Sequence, residues 1–237
     1  MRKKFVSFSG GKDSLVTLHK LLYEWNKNFE VIYVDTGLSL PECNEYVKEI
    51  CEEFGVKLNV IKAKRNFWET VEQWGFPTRP GWKRWCMMEL KMKPLKEFIP
   101  KFSVVALGIR KGESSYRKKF YQETIIWSEY LTAWEYFPIL EWSNEDIERY
   151  IEKYKLKVNP CYKLYGFGGN CYFCPFRVDK KYYLRLRLHH PELFKKIIEY
   201  EAKMRNKTGA LYKQGKNIYV KDMDKQVSVD SFFKEEK

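Results

Sequence analysis

The amino-acid sequence predicts an α/β fold of the Rossmann-like type, a parallel sheet with helices on both faces. The first 110 residues alternate short apolar segments with stretches of helical periodicity, which is the chain order of a parallel α/β sheet. The apolar segments are continuous, as expected for strands buried on both faces. At ~100–200 residues per domain, the length of 237 residues suits one ordinary domain plus an extension or a small second unit.

Helical patterns separate most of the predicted strands. The strands are predicted at Phe5–Ser9, Val31–Asp35, Val56–Ile61 and Ser103–Gly108. Leucines spaced three or four apart predict the first helix from about Leu15, and further helices are predicted over Pro41–Phe54 and from about Met87 to Ile99. Ligands of such sheets bind at the carboxyl ends of the strands. We therefore expect three segments to meet at one crevice: Ser9–Ser14, Asp35–Gly37 and Gly108–Arg117.

The chain changes character after a last conventional helix, whose start is predicted at Ser143 with Asp146 in a capping box. Residues 159–175 are rich in Gly, Tyr and Cys and have no periodicity. We therefore predict a nucleotide-binding α/β domain over 1–158, and over 159–237 a Cys-containing loop followed by a basic helical region. One helix is predicted from about Lys180 to Asn206, and a peripheral strand or tail over the last twenty residues.

The charge balance points to an anionic ligand. The chain has 44 Lys and Arg against 31 Asp and Glu, a net charge of +13, and residues 177–216 alone contribute +8, with twelve cations and four carboxylates. A nucleotide or a nucleic acid would suit this excess, although a solvated helix face is the ordinary explanation of a basic run. No run approaches the ~18–20 apolar residues of a membrane span, and no apolar signal core follows Met1. We expect a soluble, cytoplasmic protein without a membrane partner.

The segment Ser9–Ser14, with the sequence SGGKDS, has the composition of a phosphate-binding loop. It follows a strand and opens a helix, where backbone N–H groups and the helix dipole favour anions. The two glycines allow the backbone to approach phosphate oxygens, and Lys12 adds a positive charge. It is not a Walker A loop, because Asp13 stands where that motif has Ser or Thr.

Several strings together resemble one family. The SGGKDS loop is similar to that of the pyrophosphate-loop adenine-nucleotide α-hydrolase superfamily, which handles nucleotides between the α and β phosphates. Further strings resemble the phosphoadenylyl-sulfate (PAPS) reductase family within it. These are Asp35-Thr-Gly37 with Pro41-Glu42, Arg84-Trp85-Cys86 with Lys91 and Pro94-Leu95, Gly108-Ile-Arg110 with Glu113, Ser114 and Arg117, and Pro138-Ile139 with Trp142. They occur in family order from about residue 5 to residue 176.

The resemblance implies a set of nucleotide-binding residues and an adenine-nucleotide α-hydrolase-like fold. The implied set is Ser7, Ser9, Gly10, Gly11, Lys12, Asp13, Ser14, Asp35, Thr36, Gly37, Gly108 and Arg110. The serines, Gly11, Lys12 and Asp13 would surround the phosphates, and Asp35 and Thr36 would lie near the nucleoside. Lys12, Asp13, Arg110 and Arg117 are the candidate catalytic residues, since guanidinium groups can stabilise charge on a leaving pyrophosphate and Asp13 can orient Lys12 or help to place Mg2+.

Four of the six cysteines are candidate metal ligands: Cys86, Cys161, Cys171 and Cys174. Four thiolates in irregular loops suit a four-iron, four-sulfur (4Fe-4S) cluster or a zinc ion. The resemblance favours the cluster, because cluster-bearing reductases of the family have cysteines at the position of Cys86 and in a later C-x-x-C. That pattern also has a second cysteine where Met87 stands here, so Cys161 would supply the fourth ligand and zinc stays an alternative. Cys43 and Cys51 are predicted to be structural.

The resemblance leaves three functions open. Reductases of this type attack the sulfonucleotide with a cysteine near the C-terminus, and no cysteine follows Cys174 in this sequence. The leading hypothesis is therefore nucleotide-activated sulfur transfer, a thiolation, to a nucleic acid or a small acceptor. The alternatives are reduction of adenylyl sulfate or PAPS to sulfite with an external thiol, and a non-catalytic nucleotide-binding module of a larger complex; self-association is open. Six residues of the basic helix would contact RNA or DNA: Tyr182, Tyr183, Arg185, Arg187, His189 and His190.

Overall fold

The structure is a computed structural model that describes residues 2–77, 84–168, 171–177 and 179–208, with side chains described through residue 204. Its strands are β1 (Lys4–Ser7), β2 (Glu30–Asp35), β3 (Leu58–Lys62), β4 (Val104–Leu107), β5 (Ile125–Ser128) and β6 (Ala133–Tyr136). Its α-helices are α1 (Lys12–Glu24), α2 (Pro41–Glu53), α3 (Phe67–Trp74), α4 (Trp85–Met87), α5 (Lys93–Phe98), α6 (Ser115–Phe120), α7 (Asn144–Lys153), α8 (Cys161–Tyr165), α9 (Lys180–His189) and α10 (Pro191–Thr208). A π-helical turn, Met88–Met92, connects α4 to α5, and a 3-10 turn, Lys111–Glu113, precedes α6.

The strands form one six-stranded sheet in the order β3-β2-β1-β4-β6-β5, which confirms the predicted fold class. All neighbouring pairs are parallel except β5 and β6, which are antiparallel and form one edge. These two strands were not predicted from the sequence, and they make the otherwise parallel sheet antiparallel at this edge. The chain order reverses between β1 and β4, and at such a point the loops after neighbouring strands diverge and leave a crevice.

Both faces of the sheet are covered. Val6, Val31 and Ala106 lie in one apolar cluster together with residues of α1 and α2. Their chain neighbours Phe5, Ile32 and Val105 point to the opposite face and pack with residues of α5. Alternate residues of one strand point to opposite faces. The continuous apolar strands of the sequence therefore reflect burial on both sides.

Two predicted helices needed correction, and three helices, α3, α6 and α8, were not predicted; α8 lies within the stretch 159–175 that was predicted to be a loop. The helix expected from Met87 to Ile99 is divided into α4, the π-helical turn and α5. The helix expected from Lys180 to Asn206 is two helices, because His190 leaves the helical conformation immediately before Pro191. Proline disfavours the helical conformation in the residue before it and lacks the N–H that a continuous helix would use. Ser143 caps α7 and forms the expected capping box with Asp146.

The C-terminal helices contribute to the same core as the sheet. Tyr182, Leu186, Phe194 and Ile197 of α9 and α10 belong to the cluster that also contains Leu15 and Leu18 of α1. The division of the chain after residue 158 stays a prediction. The tail and the end of the basic segment, residues 209–237, lie outside the described residues. Within the described part of the chain, no helix combines the length and apolar character that crossing a bilayer requires.

Candidate nucleotide and thiol site

The loop between β1 and α1 presents the N-terminus of a helix. Gly11 is the N-cap and makes no side-chain cap, so the first N–H groups of α1 point out of the helix end. The Ser14 hydroxyl donates to the Gly11 carbonyl at 2.9 Å and lies 3.2 Å from the Ser9 nitrogen, which donates to it. These bonds hold the loop closed around its backbone N–H groups, which is the arrangement that binds phosphate oxygens in proteins.

Two glycines of the predicted set are required by close packing. Gly10 has a φ of +81°, and a Cβ on it would lie 2.8 Å from the Cys43 sulfur. A Cβ on Gly108, at the end of β4, would lie 2.8 Å from the backbone of Asp13 and Ser14. The carboxyl end of β4 is thus in direct contact with the first turn of α1. This contact joins two of the three segments that were expected to meet.

A cleft of about 500 Å3 lies at this junction. It is lined by Ser9, Gly11, Lys12, Asp13, Ser14, Gly108, Arg110, Glu113, Arg117, Asn144, Ile147, Glu148, Tyr162, Phe167 and Gly168. Eight of these residues were candidates from the sequence, including all four candidate catalytic residues. Ser7, Gly10, Asp35, Thr36 and Gly37 do not line it.

Arg110 is almost completely buried and connects three elements. Its Nε lies 3.1 Å from Oδ1 of Asp13, its Nη2 donates to Oδ1 of Asn144 at 2.9 Å, and its Nη1 donates to the Trp142 carbonyl at 3.4 Å. The Asp13 ion pair is close but poorly aligned, because the Nε–H forms no hydrogen bond. Arg110 therefore positions Asp13 and α7 at the cleft wall, in addition to facing the cleft.

The charges of the cleft wall are balanced. Its three cations, Lys12, Arg110 and Arg117, stand against Asp13, Glu113 and Glu148 in the described lining. Arg117 is paired with Glu113, and the Lys12 ammonium lies 4.0 Å from the Glu148 carboxylate. Since the latter two groups are substantially exposed, their attraction is weak. A polyanion such as ATP therefore requires cations beyond those of the cleft, which Mg2+ can supply.

Tyr162 is a residue of the cleft that sequence reasoning missed. Its hydroxyl accepts the backbone N–H of Lys12 at 3.0 Å, and the Lys12 ammonium lies 5.0 Å from the centre of its ring. The ring packs so closely on Gly168 that a Cβ there would be 2.0 Å away. Tyr162 thus fastens the segment that carries Cys161 to the phosphate loop. No local pattern could reveal a contact between residues 150 positions apart.

Replacing Tyr162 with Phe should lower the free energy of unfolding by about 1 kcal/mol, because the Lys12 N–H loses its acceptor while the ring packing is kept. Tyr23→Phe is the matched control, since Tyr23 is 69% exposed. Urea denaturation of the three proteins measures the difference. Equal stability of Tyr162→Phe and wild type would show that the hydroxyl does not support the loop.

The segment after β2 lies beside the cysteines. Oδ1 of Asp35 accepts the Gly37 N–H at 2.9 Å, and Oγ1 of Thr36 lies 3.7 Å from the sulfur of Cys171. Cys171 forms a β-bridge with Ser39, and the Tyr172 N–H donates to the Leu38 carbonyl at 2.7 Å. The predicted nucleoside segment is therefore bonded to the C-x-x-C.

Three of the predicted ligand cysteines are close enough to influence one another electrostatically. Burial is the main reason that the pKa of the Cys86 thiol is raised to about 11; Arg84 lowers it, and the nearby thiols of Cys174 and Cys171 contribute to the rise. Within the described ranges, no three His, Cys, Asp or Glu side chains are arranged to hold a metal ion as they stand. The donor set itself, three thiols brought together from distant parts of the chain, fits a soft metal or an iron-sulfur cluster.

Cys161 packs close to the phosphate loop, to which Asn159 connects it. It is fully buried, and its thiol interacts electrostatically with Cys43 and Glu42. Asn159 joins the two cysteines to the loop: its Nδ2 donates to the Gly10 carbonyl at 3.0 Å and to the Cys43 sulfur at 3.4 Å, and its Oδ1 accepts the Cys161 N–H at 2.9 Å. That Cys161 is the fourth ligand stays a prediction, which this position does not favour. Cys43 and Cys51 are buried, as expected of structural residues.

The helix α9 does not present the aromatic surface that was predicted. Tyr182 and Tyr183 are each 1% exposed, so the expectation that they stack on bases was wrong. Nε2 of His190 lies 3.0 Å from the Glu42 carboxylate, and its Nδ1 lies 3.1 Å from Glu192. His190 thereby joins α9 to α2. The sequence pattern showed aromatic and basic residues together but could not show which side packs on the core.

The remaining predicted contacts of α9 are divided between packing and solvent. A Cβ on Gly166 would lie 3.1 Å from Nη1 of Arg185, and the Arg187 guanidinium lies 5.8 Å from the Phe194 ring centre. His189 is exposed, and its ring centre lies 5.5 Å from that of Tyr165 in an edge-to-face arrangement. These residues do not form a continuous cationic and aromatic face.

Comparison with known proteins agrees with this geometry. Residues 3–168 match the model of the phosphoadenosine phosphosulfate reductase domain. An uncharacterized protein of Methanocaldococcus jannaschii is 36% identical over 197 residues, which are 81% of this chain and 46% of that protein. A second from the same organism is 36% identical over 72% of this chain and 35% of its own length. The chain thus spans less than half the length of these two relatives.

Two characterised proteins are more distant. The phosphoadenosine 5′-phosphosulfate reductase of Shewanella oneidensis is 25% identical over 164 residues, which are 67% of this chain and 64% of that protein. A crystal structure of PAPS reductase from Candida auris, in a phosphate complex, has a TM-score of 0.54 and 18% identity, covering 72% of this chain and 82% of that one, and it shares the fold. With its phosphate loop, its sheet order and a domain match over most of its length, this chain belongs to the phosphoadenosine phosphosulfate reductase family.

Proposed function

We propose that the protein is a nucleotide-activated sulfurtransferase, which binds MgATP in the cleft and thiolates an acceptor. The observation that carries the proposal is the combination of a charge-balanced cleft at the phosphate loop with the thiols of the C-x-x-C segment and of Cys86 in α4. MgATP suits a balanced cleft because its metal offsets part of the phosphate charge. The thiols suit chemistry that handles sulfur.

In the proposed reaction, a carbonyl oxygen of the acceptor attacks the α-phosphorus of ATP. The bond from that phosphorus to the oxygen bridging the β-phosphate breaks, and pyrophosphate leaves. A sulfur nucleophile then replaces the adenylated oxygen, which departs with AMP. The N–H groups of α1 and Lys12 hold the leaving pyrophosphate, and Arg117 stabilises the charge that develops on it, while Arg110 keeps Asp13 in place.

We assign Cys86, Cys171 and Cys174 as the metal ligands of this site, with a 4Fe-4S cluster as the favoured group and zinc as the alternative. A bound cluster would supply a redox-active, sulfur-rich centre beside the nucleotide. In this proposal the loop after β2 holds Cys171 in place through Ser39 and Thr36. The phosphate loop orients ATP toward Cys171.

The test is parallel anaerobic incubation with ATP, adenylyl sulfate and PAPS, with and without candidate acceptors, followed by identification of the products. We expect AMP and pyrophosphate from ATP, and we expect Lys12→Ala to weaken ATP binding by at least ~10-fold, since it removes a charge-assisted contact. Lys20→Ala, on the same helix but outside the cleft lining, is the control. Sulfite released from a sulfonucleotide, with ATP unchanged across acceptors, would contradict the proposal.

The second candidate is reduction of adenylyl sulfate or PAPS with an external thiol. It is favoured by the similarity to the reductase of Shewanella oneidensis. In that case the same incubation, with an external thiol added as the reductant, yields sulfite from the sulfonucleotide and no pyrophosphate. A stable nucleotide complex that shows no turnover with any acceptor or thiol would instead favour a non-catalytic binding module.

A further inference from the structure

The surface beside the cleft mouth carries an exposed aromatic pair. Tyr116 and Phe120 lie one helical turn apart on α6, with 67% and 57% of their surface exposed. Their ring centres are 5.6 Å apart and the ring planes differ by 12°, so the rings are stacked. More than half of each side chain is exposed, so the pair presents aromatic surface to solvent.

The pair is anchored to the core. Phe120 packs edge-on against Tyr121 at 5.1 Å, and Tyr121 packs against Phe137 at 4.9 Å. Phe137 is completely buried. The rings are therefore held in place through a chain of aromatic contacts that reaches the interior.

The same helix is cationic and adjoins the nucleotide. The sequence of α6, SYRKKF, has three cations and no carboxylate. Arg117 lines the cleft and is paired with Glu113, whereas Lys118 and Lys119 are exposed and take part in no ion pair among the described residues. The helix thus presents unpaired positive charge beside the two exposed rings, one turn from the proposed phosphate site.

We propose that α6 is a docking surface for single-stranded nucleic acid, and that the acceptor of the proposed sulfur transfer is a base of such a strand. Aromatic rings bind successive bases by stacking, and neighbouring lysines bind the phosphates. The charge complementarity with a phosphate backbone favours this occupant over an apolar protein surface. The identification of the base as an acceptor rests on the proposed function. The surface of α6 replaces that of α9 as the predicted nucleic-acid surface.

The test is fluorescence anisotropy of the full chain with labelled single-stranded RNA and DNA of about 12 nucleotides, at several salt concentrations and without ATP. We expect the double substitution Tyr116→Ala/Phe120→Ala to weaken binding by at least ~10-fold. The matched control is Tyr23→Ala/Phe102→Ala, because Tyr23 and Phe102 are 69% and 59% exposed but do not adjoin the cleft. Equal losses in the two double variants, or no binding by the wild type, would overturn the proposal.

A lysine pair gives an independent measurement. Lys118→Ala/Lys119→Ala should reduce the slope of log affinity against log salt by about 1.4, since each single-strand phosphate contact contributes about 0.7. Lys195→Ala/Lys196→Ala, an exposed pair on α10, should leave the slope unchanged. The reverse result would place the surface on the C-terminal helices and overturn the proposal. Because binding is measured without ATP, failure of the adenylation chemistry leaves these results standing, and loss of oligonucleotide binding says nothing against ATP cleavage.

Discussion

Replacing Gly108 with Ala should weaken nucleotide binding at least ~10-fold while leaving the rest of the chain folded. The added Cβ would lie 2.8 Å from the carbonyl carbon and oxygen of Asp13 and from the Ser14 nitrogen. Backbone atoms in the first turn of a helix cannot rotate away as a long side chain can, so β4 and α1 must move apart. Overpacking of this kind costs about 1–3 kcal/mol of stability. The displacement falls on the N–H groups that would bind the phosphates.

Isothermal titration with MgATP and urea denaturation together measure this effect. Gly112→Ala is the matched control, because a Cβ on Gly112 meets no atom within 4 Å. We expect the control to bind ATP as the wild type does, and Gly108→Ala to bind at least ~10-fold more weakly, which corresponds to about 1.4 kcal/mol. Normal affinity in Gly108→Ala would mean that the phosphates bind away from the start of α1.

Single replacement of Cys86, Cys171 or Cys174 with Ala should remove most of the bound metal. Each loss leaves two thiols of the neighbouring set, and binding of a metal to fewer thiolates is much weaker because each contributes a strong, charge-neutralising bond. Iron, sulfide and zinc contents after anaerobic reconstitution, with the visible absorption spectrum, measure it. A brown wild type is expected; a colourless protein with one zinc would reject the cluster and keep the ligand set.

The variant Cys161→Ala distinguishes a three-cysteine metal site from a four-cysteine site that includes Cys161. The Cys161 thiol interacts with Cys43 and Glu42, so we expect this variant to lose stability by cavity formation but to keep its metal. Cys51→Ala, another buried cysteine, is the control for the stability loss alone. Loss of metal in Cys161→Ala to the same extent as in Cys171→Ala would establish the four-ligand set instead.

Much of the fold could be predicted because the central strands β1, β2 and β4 are buried on both faces and are therefore mainly apolar. The phosphate loop could be predicted for a related reason: its glycines and its lysine are adjacent in the sequence. The strands β5 and β6 were missed because their apolar runs are only two or three residues long, and because their place in the sheet depends on the pairing of β6 with β4. Local sequence patterns show apolar runs and adjacent motif residues, but they do not show which strands pair in the sheet.

The site was predictable only where its residues are neighbours along the chain. Asn144 and Tyr162 enter the cleft through contacts with Arg110 and Lys12, far away in sequence. The burial of Tyr182 and Tyr183 likewise depends on what α9 packs against. A basic and aromatic string predicts a binding surface equally well whether its rings face solvent or the interior.

The bonds between the loop after β2 and the Cys171 segment have a thermodynamic consequence. Leu38 and Ser39 are joined to Tyr172 and Cys171 by backbone pairing. A movement of one segment therefore displaces the other. Linkage requires that any change the metal makes in nucleotide affinity is matched by an equal change that the nucleotide makes in metal affinity. If the proposed metal and nucleotide sites are coupled through these bonds, the affinity for the metal, measured by competition with a chelator, should change when nucleotide is added.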